Sequence, residues 1–186
     1  MALPAPAPRF TADDYLVWEA TQSEKHEYVA GEVFAMGGAT RAHVTIALNI
    51  AGALADKLED TPCRTFMSDM KLQIQAATAY FYPDVMVACN EVDRRADQFV
   101  TSPSLIIEVI SPTSAGYDRG DKFAAYRRLP SLEQYIVVDP EQRRLESFTR
   151  TAERQWLLQD VAPETPLVIP SLEISLPWAR VFRNLD

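Results

Sequence analysis

An α/β fold, a mixed sheet flanked by helices and continued by an antiparallel C-terminal extension, follows from three observations. Two apolar runs, 80–89 and 102–112, read as strands covered on both faces: Val85, Met86 and Val87 in one, and Leu105, Ile106, Ile107, Val109 and Ile110 in the other, show no polar alternation. A third run, 133–140, follows after a helical stretch, and strand, helix, strand in that order makes the outer two strands parallel. Upstream, residues 40–59 carry Val44, Ala47, Leu48, Ala51, Leu54, Ala55 and Leu58 at three- and four-residue steps, which makes an amphipathic helix that covers a sheet.

Taken in order, residues 1–9 form a flexible Pro-Ala arm and residues 10–186 a single domain. Thr11 caps a short helix with Asp13 and Asp14 in its first turn, where acids complement the helix dipole. Residues 27–36 make two short strands around Gly31, with Glu32 opening the second. Residues 63–74 read as one strand that returns through Thr78 into the run 80–89 as a hairpin. Residues 91–98 read as a polar loop. Asp118 is placed as the N-cap of a helix reaching Leu129, on which Lys122, Tyr126 and Leu129 share the core-facing stripe. Residues 143–182 supply the antiparallel extension.

The length of 186 residues is enough for a full core, and 47% hydrophobic and 24% charged residues are ordinary for a globular protein. The N-terminus lacks a basic region followed by an apolar run, and no stretch nears the roughly 20 apolar residues of a membrane span, so the reading is cytoplasmic, with no membrane partner. Cys63 and Cys89 fit no zinc spacing and are read as buried thiols. The net charge of -8 opposes broad affinity for nucleic acid, which clustered Lys and Arg would drive.

Each of the two central strands carries one carboxylate, Asp84 and Glu108, that the fold does not require. Burying an unpaired carboxylate costs several kcal/mol or forces protonation. If the strands are neighbours in register, the two acids converge and repel, and a hard divalent cation, Mg²⁺ or Mn²⁺, relieves that repulsion. For either acid alone, a solvated strand end or bonds from backbone N–H groups is the bland alternative. Lys122 is read as pointing toward the same region or as an amphipathic lysine passing Tyr126. His43, in the first turn of the long helix, is a second-tier phosphate or metal contact, or a packing histidine.

The stretches 27–36, 82–89, 107–114, 117–127 and 135–140 together resemble the Uma2 family of the PD-(D/E)XK nuclease superfamily. The resemblance implies a restriction-endonuclease-like fold, with Asp84 and Glu108 as the two motif acids and Glu32 as an additional acid; these three would bind Mg²⁺ or Mn²⁺. Ile110 stands where the superfamily lysine follows its acid by two positions, and the family lysine on the next helix matches Lys122, with Lys71 as a lesser candidate. It implies a metal-dependent endonuclease acting on DNA, working as a homodimer. A catalytically inactive module for binding or assembly is the alternative, favoured by the missing Glu-x-Lys lysine and the acidic balance.

Overall fold

The computed structural model describes residues 10–185, so the arm 1–9 lies outside the described residues. The elements run α1 (Ala12–Glu19), β1 (His26–Val29), β2 (Glu32–Ala35), α2 (Arg41–Lys57), β3 (Arg64–Met67), β4 (Lys71–Ile74), β5 (Ala79–Phe81), β6 (Val85–Ala88), α3 (Glu91–Arg94), β7 (Phe99–Val100) and β8 (Leu105–Val109). They continue through α4 (Ala115–Tyr117), a π-turn (Asp118–Lys122), α5 (Phe123–Tyr126), β9 (Gln134–Asp139), β10 (Arg144–Arg150), β11 (Trp156–Val161), β12 (Leu167–Ile169), β13 (Ile174–Leu176) and α6 (Trp178–Val181). No helix among the described residues is long and apolar enough to cross a membrane.

Two sheets organise these elements, with strand orders β2-β1-β5-β4-β7 and β11-β10-β9-β8-β6-β3, and β12-β13 forms a separate hairpin. As expected, β8 and β9 are parallel across the helical crossover, while β10 and β11 extend the larger sheet antiparallel. One core lies between α2, α6, the β12-β13 hairpin and one face of the larger sheet, where Val85, Val87, Leu105, Ile107, Ile136 and Val138 point. A second core joins the opposite face (Met86, Ile106, Tyr135, Val137) to Leu72, Ile74 and Phe81 of the smaller sheet, with Phe123 and Tyr126 between them. The segment from α4 to α5 thus lays Phe123 and Tyr126 between the two sheets, while Gly116, Tyr117, Gly120 and Asp121 stay exposed.

Several elements differ from the sequence reading. Residues 63–74 are two strands in two sheets, parted by a turn in which Asp69 and Met70 donate to the Met67 carbonyl. The run 80–89 divides likewise at Tyr82-Pro83-Asp84, where the chain passes from the smaller to the larger sheet; proline fits there because it has no N–H for a ladder. The polar loop contains α3, capped by the Asn90 side chain. The later helix begins at Ala115, so Asp118 is an interior residue of a π-turn and not a cap. Cys63 and Cys89 are joined as a disulfide and are not free thiols. The antiparallel register Arg64↔Ala88 puts them directly opposite, one step beyond the paired strands.

The long helix forms as expected behind a Thr40 cap, but its buried face is turned by about one residue. Ile46, Ile50 and Leu54 are fully buried, whereas Val44 and Leu48 are more than half exposed. Apolar residues nearly encircle this helix, so spacing alone does not select the face. Asn49 decides it in part: its buried amide donates to the Val181 and Arg183 carbonyls at 3.1 and 2.8 Å, which ties the helix to the C-terminal segment. Ile50→Ala is expected to cost about 2–5 kcal/mol as a buried truncation. Val44→Ala should stay within about 0.5 kcal/mol. Denaturant unfolding of the two variants checks the assignment.

Candidate active site

Register brings Asp84 and Glu108 together. Val85 pairs with Ile107 in the antiparallel β6-β8 ladder, so Asp84 lies directly opposite Glu108 on the same face. The Asp84 N–H donates to Glu108 Oε2 at 3.3 Å, and the Val109 N–H donates to Asp84 Oδ2 at 2.8 Å. Each carboxylate therefore leans on the other's strand. Asp84 also faces His43, whose Nε2 is 2.8 Å from Oδ1. Position 43 reaches it from the first turn of α2, because the cap at Thr40 starts the helix beside this seam.

Lys122 completes the cluster from above the sheet. Its Nζ is 3.0 Å from Glu108 Oε1, 2.9 Å from Glu27 Oε1 and 3.7 Å from Asp118 Oδ1. Tyr126, one turn on, donates its hydroxyl to the same Glu108 Oε1 at 2.6 Å. The wide π-turn carries Asp118, Arg119 and Lys122 together, and a π-turn within a helix often marks a functional position. Glu27 arrives on β1, where its Oε1 also accepts the Tyr82 N–H at 3.5 Å, next to the strand switch.

The electrostatics are lopsided. Glu27, Glu108, Asp118 and Lys122 are all buried, and Asp84 is only partly exposed, so four carboxylates face one ammonium and one imidazole. Burial pushes the Glu108 carboxyl up to about 8; Lys122 opposes this, while Asp84 and Asp118 add to it. Burial alone would lower the Lys122 pKa, but the carboxylates of Glu108, Glu27 and Asp118 outweigh it and hold the ammonium protonated. A protonated Glu108 would loosen that hold. With three carboxylates around it, Lys122 stays charged, and the rise at Glu108 expresses the surplus of negative charge. Burial raises Asp118 as well.

Asp84, Glu108, Lys122 and His43 are thus brought together. Glu32 is not: it is exposed at the start of β2, opposite Val29, two residues farther along the hairpin face than Glu27. Lys71 sits half-buried with its Nζ 5.4 Å from the Tyr82 ring centroid, and no hydrogen bond joins it to the cluster. Glu27, Asp118 and Tyr126 escaped the sequence reading. The signal for Glu27 was present in its neighbours, because a carboxylate inside a strand beside a core tyrosine is as anomalous as Asp84.

Among the described residues, no three of His, Cys, Asp and Glu are grouped to hold a metal ion. Lys122 stands between Glu27 and Glu108 and keeps those two acids from closing on a common ion. The remaining pair, Asp84 and Glu108, offers hard oxygen donors amid surplus negative charge. That set fits Mg²⁺, which usually takes one or two carboxylates and completes its shell with water and substrate phosphate.

Residues 12–180 match the profile of the Uma2 family, described as "Putative restriction endonuclease". Two uncharacterized proteins of Synechocystis sp. are similar to this chain. The protein slr1290 is 34% identical over 181 residues, 97% of this chain and 95% of its own. The protein sll1609 is 38% identical over 156 residues, 83% of this chain and 88% of its own. The crystal structure of "a putative nuclease belonging to DUF820" from Anabaena variabilis superposes with a TM-score of 0.79 at 16% identity, covering 95% of this chain and 99% of that one. That likeness is one of fold.

A pH dependence of stability follows from the site. Folding raises the Glu108 pKa from 4.5 to about 8, so the native state binds this proton more tightly than the unfolded chain does. The contribution is fully present below 4.5 and is lost as pH rises through about 8. Without divalent cation, the denaturant midpoint should fall across that window, and Glu108→Gln, which does not titrate, should flatten the profile.

Proposed function

The chain belongs to the Uma2 family, and on that premise we propose that it is a divalent-metal-dependent nuclease that hydrolyses phosphodiester bonds of DNA. The single observation that carries the proposal is the apposition of Asp84 and Glu108 at the end of the β6-β8 ladder, with Lys122 bonded to the second acid. Held by the two carboxylates, Mg²⁺ or Mn²⁺ would supply Lewis acidity at the scissile phosphate and lower the pKa of a water.

The protein's own groups do the rest. The Val109 N–H and His43 Nε2 hold opposite oxygens of Asp84, which fixes the carboxylate plane. The Tyr126 hydroxyl and the Asp84 N–H likewise hold opposite oxygens of Glu108. Lys122 keeps a positive Nζ next to Glu108, placed to orient water or to meet negative charge growing on the phosphate. Glu27 and Asp118 anchor the ammonium and keep it protonated. Since the net charge is -8, capture of DNA rests on the metal and on local cations, and binding should be weak without divalent ions.

Plasmid nicking in Mg²⁺ and Mn²⁺ tests the assignment. Wild type should cut, Asp84→Asn and Glu108→Gln should not, and Lys122→Ala should lose about 10²–10³-fold in rate, the scale of one charge-stabilising donor. Equal nicking by wild type and Asp84→Asn, or none by either, sinks the proposal. The second reading, an inactive module for binding or assembly, is favoured by the ammonium that already occupies the space between Glu27 and Glu108. Calorimetric titration separates the two: the nuclease binds Mg²⁺ or Mn²⁺ and loses it in Glu108→Gln, whereas folded wild type that takes up neither ion supports the module.

A further inference from the structure

The outer edge of the larger sheet ends at β11, and no described strand pairs with its free side. Free edges of this kind are usually blunted by Lys, Pro, a bulge or a covering loop. β11 has no Lys, Pro or bulge, and its one charge, Asp160, is bonded to Arg144 of the neighbouring strand. Its residues, Trp156, Leu157, Leu158, Gln159, Asp160 and Val161, pair without interruption with β10, and Leu157 and Leu158 are 51% and 52% exposed on opposite faces.

The direction of the unpaired backbone groups can be read from the turn. The Thr151 N–H donates to the Gln155 carbonyl at 2.8 Å, so positions 151 and 155 form a hydrogen-bonded pair. Such pairs alternate along an antiparallel ladder. Leu157, Gln159 and Val161 therefore bond inward to β10, and Trp156, Leu158 and Asp160 turn their N–H and C=O groups outward. The Arg150 N–H agrees, since it points away from β11 to the Glu133 carbonyl.

We propose that β11 pairs antiparallel with β11 of a second copy of this chain about a twofold axis at Leu158. Such an axis stands perpendicular to the sheet and sets residues of equal parity opposite one another. Centring it on Leu158 pairs Leu158 with its own copy and Trp156 with Asp160 of the partner, so all the outward groups of three residues are used. Centring it on Asp160 would set two like charges opposite each other, which is destabilising. Centring it on Gln159 leaves fewer outward groups paired within the strand. The Leu158 register also covers Leu157 with Gln159 of the partner and joins two six-stranded sheets into one. This inference does not rest on the nuclease reading.

The mass of the full-length protein in solution, by light scattering, tests it. Wild type should be a dimer, and Leu158→Lys should be a folded monomer by circular dichroism. An equimolar mixture of Leu158→Lys and Leu158→Glu should recover the dimer, because position 158 meets its own copy. Should Leu158→Lys fail to fold, Leu158→Cys replaces it: mild oxidation should cross-link two chains at that position, and wild type should not cross-link. A monomeric wild type, a dimer untouched by Leu158→Lys, a mixture that stays monomeric or a Leu158→Cys protein that does not cross-link each overturns the proposal. Capture of an unrelated extended peptide by monomeric wild type would overturn it in favour of a different occupant.

Discussion

The site depends on a buried ammonium held by carboxylates from elements far apart in sequence. Lys122 comes from the π-turn, Glu108 from the middle of the larger sheet, and Glu27 from the smaller one. Removing one partner from such a cluster strands the rest without compensation, and the cost is several kcal/mol. The two sheets and the helix between them are thus joined by charge as well as by the apolar packing around Phe81, Phe123 and Tyr126. The cluster still holds more negative charge than one lysine neutralises. The proposed cation site and this buried ion cluster would share the same atoms.

The strand switch at Tyr82-Pro83-Asp84 gives this arrangement its geometry. Tyr82 touches two buried acids on that side, Glu27 of β1 and Glu19 of α1: its N–H reaches Glu27, and its hydroxyl donates to Glu19 at 2.9 Å. Two residues later Asp84, one position before β6, already ties its side chain to the larger sheet through the Val109 N–H. A single continuous strand could not present side chains to both sheets within three positions. Glu19 in turn accepts the His26 N–H at 2.8 Å, so α1 is tied to the strand that carries Glu27.

Much of this was legible in the sequence because it rests on period and anomaly. Asp84 and Glu108 stood out as charges in apolar runs, and their meeting needed only that the two strands be neighbours in register, as β6 and β8 are. Lys122 stood out because it shared a face with Tyr126 and Leu129. What was not legible depends on geometry between distant elements. Glu32 and Glu27 lie on one face of one hairpin, and only the placement of the helix decides which of them meets the lysine. The face of α2 could not be chosen from a helix that is apolar nearly all round. Cys63 and Cys89 became partners only because β3 and β6 pair in the register they do. A turn of π type leaves no periodic signature in so short a segment, so spacing alone makes Asp118 look like a cap.

That π-turn sets a constraint of length more than of composition. A helical residue advances by about 100°, so the extra residue accommodated between Asp118 and Lys122 decides how the flanking turns are phased. Deleting any one position there would let the segment relax to ordinary helix and still bury Phe123 and Tyr126, while the basic side chain swung out of the seam. Relatives whose spacing between the Glu108 strand and this lysine differs by a single residue would keep the scaffold and lose the constellation.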